Sequence, residues 1–324
     1  MNNKYILELL ENTDSIMSES SRIKNVLRLN NNLFGFEVIN RLLIELQYNK
    51  SEYAFELKSK QEWEIEGRQV IDGQEPIYIT VPVYKTSYMD IDTGLEITEE
   101  DKLTHDELVK AIELGLVSRV EDMNSMSIMP VYDIRQTLSI TPNYKVKHFE
   151  LSSSRLLDLT SNLMGCSIQI GNDYKYSKEN HVLIVRKDTY INIANALSSI
   201  LAKYMINNKL KSILIGTKES SDCSISNEDL NFIYKGLTFS INTLFNGNID
   251  IDLEIKENIN ANKFIYMLNL IYCLISDVVA SVINNDTHSN IPCTDYITSI
   301  SRIQKAEAIL AIMEANDINK IINN

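Results

Sequence analysis

Two short stretches decide how the first half of the chain is interpreted: Trp63-Glu64-Ile65-Glu66-Gly67-Arg68-Gln69-Val70 and Val131-Tyr132-Asp133-Ile134-Arg135-Gln136-Thr137. The second stretch belongs to a β-rich run over residues 128–134, and a similar run covers residues 76–84; proline punctuates both. Residues 38–47 instead repeat apolar side chains at helical spacing. The first half is therefore predicted to alternate helices and strands.

The composition of the 324-residue chain is that of a globular protein. It is 44% hydrophobic and 23% charged, with only 10 glycines and 5 prolines, which excludes collagenous and low-complexity classes. The four cysteines, Cys166, Cys223, Cys273 and Cys293, are too widely spaced for a structural zinc site. The first residues are too polar for a secretory signal. We expect a cytoplasmic protein without a disulfide framework.

One apolar run, residues 264–283, is long enough to be weighed as a membrane span. Asn269, Ser276 and Ser281 interrupt it, and its single charge, Asp277, would be costly in a bilayer. We therefore predict a buried core helix and no membrane partner, with a membrane span as the alternative.

The net charge of −13 is distributed unevenly, because residues 90–122 carry many more acidic than basic side chains. Thr104 and Glu107 have the spacing of a capping box, which predicts an inserted helix or helical hairpin over residues 98–117. This acidic insertion is interpreted as a solvated, protruding element. The alternatives are a protein docking arm or a mimic of nucleic-acid charge.

The second half of the chain has its own pattern of elements. It begins with a helix predicted over residues 151–164, followed by strands over residues 167–170 and 181–185, and is mainly helical from there. We therefore divide the chain into two domains, residues 1–145 and residues 146–324.

Three motifs of the first domain occur in an order that resembles the N-terminal domain of the ArdC-type antirestriction proteins of plasmids and phages. Phe34-Gly35-Phe36-Glu37-Val38-Ile39-Asn40-Arg41-Leu42-Leu43-Ile44 resembles an aromatic-rich yNxxLL helix. Residues 63–70, with Gly73, resemble a W…GRxVxxGe turn into a strand, and residues 131–137 resemble a closing VFDxxQT. The resemblance implies that residues 1–145 bind single-stranded DNA.

Proteins that bind single strands need cationic side chains along the backbone path and aromatic faces on which bases stack. The predicted DNA-binding residues are Asn40, Arg41, Lys58, Lys60, Trp63, Arg68, Lys85 and Arg135.

Several of these residues also have a purely structural interpretation. Trp63, the sole tryptophan, is a candidate stacking platform or a core residue. Asn40 could satisfy a backbone group. Arg68 and Gly73 could shape the turn into the strand, with the glycine at a positive φ.

In the resembling family, the second domain is a zincin-like metallopeptidase whose His-Glu-x-x-His helix holds zinc. The resemblance places Asn195, Ala196 and Ser199 at these ligand and catalytic positions. Neutral amides and hydroxyls are poor zinc ligands, and alanine has no proton-transfer group. No histidine lies between His181 and His288, so no change of register restores the site. We expect a degenerate domain that binds no metal or cofactor and is not an enzyme.

The predicted fold class is α+β: a DNA-binding-type α+β domain followed by a mainly helical, zincin-like pseudo-peptidase domain. The predicted function is non-enzymatic binding of single-stranded DNA by a protein of a mobile element or phage, countering host restriction or defence. The alternative is an adaptor or decoy on a dead metallopeptidase scaffold, which docks a host or mobile-element protein through the acidic insertion and does not bind DNA. The oligomeric state stays open.

Overall fold

The computed structural model describes residues 12–32, 36–47, 56–97, 104–139, 153–211, 213, 225–255 and 259–287. The chain divides into two compact units. One, here called the hairpin unit, is Ile79–Met129; the other, the large unit, combines Met1–Tyr78 with Pro130–Asn324. The domain boundary predicted at residue 145 lies outside the described residues and stays a prediction.

The large unit begins with three helices that pack into its main hydrophobic core. They are α1 (Thr13–Met17), α2 (Ser20–Asn32) and α3 (Val38–Gln47). Helix α3 has the bounds that its apolar spacing predicts. Ile16, Leu27 and Leu42, from the three helices in turn, are fully buried in the same core as Phe264 and Leu274 from the second half of the chain.

The β-rich runs of the first half are longer than their sequence pattern predicts. Strand β3 is Ile77–Asp90 and strand β4 is Val117–Asp133, and the two are neighbours in one sheet. Pairing extends both strands into the acidic stretch, because backbone hydrogen bonds are satisfied there whatever the β-propensity of the side chains.

Helix α5 (His105–Glu113) follows β3 and precedes β4 along the chain. Its first turn confirms the predicted capping box. Thr104 Oγ1 accepts from the backbone N–H of Glu107, whose carboxylate accepts from the backbone N–H of Thr104. Gly115, at φ +69°, follows the end of the helix, because glycine adopts this left-handed conformation without steric cost.

The second and third motifs fold together into a small substructure of the large unit, residues 56–75 and 131–139, here called the motif module. Its elements are β1 (Leu57–Lys58), α4 (Lys60–Ile65), β2 (Arg68–Val70), a 3₁₀ turn (Ile134–Gln136) and β5 (Thr137–Ser139). Strand β1 pairs antiparallel with the end of β4, and β2 pairs antiparallel with β5. Gly73 has φ +80°, as the turn requires.

The second half of the chain adds helices around a small mixed sheet. The elements are α6 (Ser153–Met164), β6 (Ser167–Gly171), β7 (Lys175–Ser177), β8 (Val182–Arg186), α7 (Tyr190–Met205) with a π-helical turn (Ile206–Leu210), α8 (Asn227–Leu244) and α9 (Ala261–Thr287). Strand β8 lies in the middle, parallel to β6 and antiparallel to β7. The chain therefore has the predicted α+β fold.

Helices α8 and α9 pack closely in the core. A Cβ at Gly236 would lie 2.6 Å from Ile271 Cδ1, so a larger residue there would require the end of the Ile271 side chain to move. Asp229, buried near the start of α8, forms an ion pair with Lys263 near the start of α9 at 2.8 Å. Burial opposes ionisation, but hydrogen bonds from Lys263 and Ser226 outweigh it and lower the pKa of Asp229.

Among the described residues no helix is both long and apolar enough to cross a bilayer.

Candidate functional site

The motif module is organised around Trp63. The capping box between Ser59 and Glu62 begins helix α4 and directs Trp63 into a cluster with Val70 and Ile134. The indole is fully buried, and its Nε1 donates to the carbonyl oxygen of Tyr132 at 2.9 Å. Because neither ring face is accessible, Trp63 cannot act as a stacking platform for a base in this conformation.

Lys58 lies against the Trp63 ring and is held there by two acidic side chains. Its ammonium is 4.8 Å from the ring centroid, contacts Glu56 Oε1 at 2.5 Å and also pairs with Glu66. Burial opposes the charged form, but the two carboxylates outweigh it and raise the pKa of Lys58. The predicted phosphate contact is therefore already neutralised within the module.

Arg68 is tied into the module by hydrogen bonds. Its Nε donates to Thr137 Oγ1 at 2.7 Å, and its Nη2 donates to the Thr137 carbonyl at 3.2 Å. The guanidinium also lies 5.8 Å from the Trp63 ring centroid. Arg68 thus joins the second motif to the third, which agrees with the structural interpretation of this residue.

Arg135 pairs with a buried carboxylate in the same module. Its Nε lies 2.8 Å from Oδ1 of Asp133, a residue with no exposed area. The same oxygen accepts from the backbone N–H of Arg135 and so begins the 3₁₀ turn. The Asp133 carboxylate that begins the turn therefore also forms an ion pair with the Arg135 guanidinium.

The other predicted residues lie elsewhere. Lys60 is exposed on the first turn of α4. Lys85 belongs to the hairpin unit, where its ammonium lies 3.3 Å from Glu96 Oε1. Asn40 and Arg41 are buried on α3, and the Arg41 guanidinium lies 4.0 Å from the ring centroid of Tyr272. Burial in the helical core prevents Asn40 and Arg41 from touching a nucleotide in this conformation.

The structure therefore places Lys58 and Arg68 against the buried Trp63, with Arg135 and Lys60 elsewhere in the same module. Sequence reasoning missed the carboxylates that pair with Lys58 and Arg135, above all Glu66 and Asp133. The signal was present, because Glu56, Glu66 and Asp133 each lie two residues before a basic residue, Lys58, Arg68 and Arg135 respectively.

Asn195, Ala196 and Ser199, which the resemblance aligns with the ligand and catalytic positions of the peptidase, lie on helix α7 (Tyr190–Met205). Thr189 caps this helix, and the preceding Asp188 accepts from Asn192 Nδ2 at 2.8 Å and from the Thr189 N–H. Hydrogen bonds from Asn192 and Arg186 hold the pKa of Asp188 well below its usual range. Asn195, Ala196 and Ser199 are half-buried further along this helix.

A network of amides links helix α7 to helix α8 at Asn195. The fully buried Asn242 donates from Nδ2 to Asn195 Oδ1 at 2.8 Å and to Ser198 Oγ at 3.4 Å. Its Oδ1 accepts from the backbone N–H of Ile249 at 3.1 Å. Sequence reasoning did not single out Asn242, whose partners on α7, Asn195 and Ser198, lie 47 and 44 residues away in the sequence.

The side chains in this network are neutral amides and a hydroxyl, which are weak metal ligands. In the described part of the chain, no three His, Cys, Asp or Glu side chains are grouped in a way that could hold a metal ion. Cys166 is buried beside strand β6, and burial raises the pKa of its thiol, which makes the thiol a weaker nucleophile.

Comparison with known proteins gives one distant likeness. No family model matches the chain. No curated protein matches it either. A metal-free crystal structure of the antirestriction ArdC protein from plasmid R388 aligns with 84% of this chain and 85% of its own length, at 11% sequence identity and a TM-score of 0.37.

Proposed function

We propose that the chain is a non-enzymatic, ArdC-like binding protein with an antirestriction role. The observation that carries the proposal is the amide network at Asn195. At the positions where the resembling family has its metal-binding and water-activating residues, this chain has Asn195, Ala196 and Ser199. Asn195 instead accepts a hydrogen bond from the buried Asn242.

The chemistry of these residues supports binding without cleavage. Zinc-dependent peptide hydrolysis needs imidazole, carboxylate or thiolate ligands to hold the metal, and a basic group to take a proton from the bound water. An amide and a hydroxyl are weak zinc ligands, and a methyl group takes no proton. Such a helix can support a binding surface, but it has no group that activates water.

We expect the protein, purified without chelator in zinc-containing buffer, to hold well below one zinc per chain. It should also leave denatured casein intact. Elemental analysis by mass spectrometry and a gel-based cleavage assay check the two expectations. Stoichiometric zinc, together with cleavage that stops on addition of chelator, would contradict the proposal.

The ligand that we propose is single-stranded DNA, bound at the motif module. The motif resemblance implies this ligand, and Lys58, Lys60, Arg68 and Arg135 are the cations that could face a phosphate backbone. Lys58 and Arg135 are each paired with carboxylates, so DNA must displace these acids to be bound. The interaction should therefore be weak and strongly dependent on salt.

This competition gives a test in which binding becomes tighter. In the double variant Glu56→Gln and Glu66→Gln, Lys58 loses both of its charged partners and becomes available to phosphate. We expect the affinity for fluorescent oligothymidylate to rise roughly fivefold at low salt, the equivalent of about 1 kcal/mol for a weakened ion pair. Fluorescence anisotropy titrations at low and moderate salt measure it.

Glu64→Gln is the control, because Glu64 is an exposed acid on helix α4, two residues before Glu66, and forms no ion pair among the described residues. It removes one negative charge without releasing Lys58, and should change the affinity less than the double variant. If neither protein binds the oligonucleotide at low salt, DNA is not the ligand.

A protein partner is the second candidate, and the ion pairs of the module favour it. The module residues 56–75 and 131–139 carry more acidic than basic side chains. Net negative charge disfavours a polyanion but not a protein ligand. In that case the chain would act as the adaptor or decoy considered above.

A further inference from the structure

The far end of the hairpin unit is held together by backbone hydrogen bonds between three segments. The N–H of Asp90 donates to the carbonyl of Leu95 at 2.9 Å, which closes the turn after β3. The N–H of Ile91 donates to the carbonyl of Leu116 at 3.0 Å, which joins this turn to the segment between α5 and β4. Residues far apart in sequence are thereby fixed side by side.

Four large aliphatic side chains project from these joined segments into solvent. Ile91 is 54% exposed, Leu95 69%, Leu114 64% and Leu116 52%. We call these four residues the apolar tip. Single exposed aliphatic residues are common, but four on segments joined by backbone hydrogen bonds make this end of the unit a candidate interaction site.

The turns that carry the apolar tip are shaped by polar interactions. Asp90 Oδ1 accepts from the backbone N–H and the hydroxyl of Thr93, and these bonds lower the pKa of Asp90. Gly115, between Leu114 and Leu116, takes the left-handed conformation that follows helix α5. The exposure of the tip therefore results from a defined local structure.

The negative charge of the hairpin unit indicates which class of partner suits the apolar tip. Residues 79–129 contain eleven acidic and four basic side chains, and Asp92 and Glu113 are adjacent in sequence to Ile91 and Leu114 of the tip. A second copy of the chain would bring the same negative field against it, and anionic lipid would be repelled in the same way. A basic surface with an apolar centre complements both features.

We propose that the apolar tip docks onto an apolar face, bordered by Lys and Arg, of a partner protein. The four aliphatic side chains are buried against this face, and the surrounding carboxylates pair with the basic border. This surface belongs to the hairpin unit and is distinct from the motif module that we propose for DNA, so either interaction can fail without the other.

The test uses the full chain and a labelled amphipathic Lys/Leu peptide, which presents an apolar helix face bordered by lysines. We expect this peptide to bind, with an affinity that falls as salt rises. A Glu/Leu peptide of the same pattern should not bind. Anisotropy titrations measure both.

The variant Leu95→Asn with Leu114→Asn removes half of the tip without changing its charge and should weaken binding of the Lys/Leu peptide at least tenfold. The matched control is Ile170→Asn with Ile191→Asn, which places the same two amides at positions 84% and 49% exposed in the large unit. Its affinity should stay at the wild-type value, and circular dichroism verifies that both variants fold.

Three outcomes would overturn the proposal: no binding of the Lys/Leu peptide, equal affinity in the tip variant and the wild type, or a dimer in sedimentation that the tip variant abolishes. The last would assign the tip to a second copy of this chain. Oligothymidylate binding by the tip variant should be no weaker than by the wild type, which separates this surface from the DNA proposal.

Discussion

Trp63→Ala is expected to unfold the motif module locally, at a cost of about 3–5 kcal/mol. The indole is fully buried between Val70 and Ile134, and its N–H satisfies the carbonyl of Tyr132. Alanine leaves a cavity there, removes the hydrogen bond, and takes away the ring on which Lys58 and Arg68 lie. Amide hydrogen exchange of peptides from residues 56–75 and 131–139 should accelerate strongly, because it reports local opening.

Two further measurements separate this structural role from base stacking. Trp63→Phe keeps most of the buried area and should lose only about 1–2 kcal/mol, mainly through the unsatisfied Tyr132 carbonyl. In the wild type, the sole tryptophan should be protected from iodide quenching both in the free protein and with oligothymidylate bound. A substitution that abolished DNA binding without changing hydrogen exchange would instead place Trp63 on the binding surface.

Much of the fold follows from periodicity that is visible in the sequence. Helix α3 begins and ends where its apolar spacing predicts, and the run within α9 is a core helix. The caps at Thr104, Thr189 and Ser226 begin helices because a side-chain oxygen must satisfy a backbone N–H that has no partner in the helix. These features are local, so one sequence is enough to predict them.

Features that depend on distant partners were predicted poorly. The short strand β7 pairs with β8, and the long strands β3 and β4 are extended by each other rather than by their own β-propensity. The acidic insertion is therefore the far part of a long β-hairpin carrying one helix, and not a wholly helical insert. Residues 98–103 of the predicted insert lie outside the described residues.

For the candidate site, the sequence indicated the important motifs but not the exposure of their residues. Tryptophan and arginine suit a nucleotide, but the same side chains also make buried hydrogen bonds and cation–π contacts. Trp63 with Tyr132, and Arg41 with Tyr272, are pairs of the second kind, between residues far apart in sequence. Spacing alone cannot distinguish these roles.

Asn242→Ala is expected to lower the free energy of unfolding by about 2–3 kcal/mol, since it removes a buried amide that satisfies several groups at once. The N–H of Ile249 loses its acceptor, and Asn195 Oδ1 loses its donor. Urea unfolding followed by far-UV circular dichroism measures the change. Asn195→Ala is the matched comparison and should cost about 1 kcal/mol or less, because Asn195 is only half-buried and water can replace its partner.

The double variant Asn195→Ala with Asn242→Ala decides whether Asn195 is part of the scaffold that joins α7 to α8. If Asn195 and Asn242 support each other through their shared hydrogen bond, the double variant should lose less unfolding free energy than the two single variants lose together. We expect a coupling of roughly 0.5–1.5 kcal/mol. Simple additivity, or a stable Asn242→Ala protein, would mean that the network does not hold α7 against α8. A strong coupling would mean that introducing metal ligands on α7 must first break an interaction on which the packing of α7 against α8 depends.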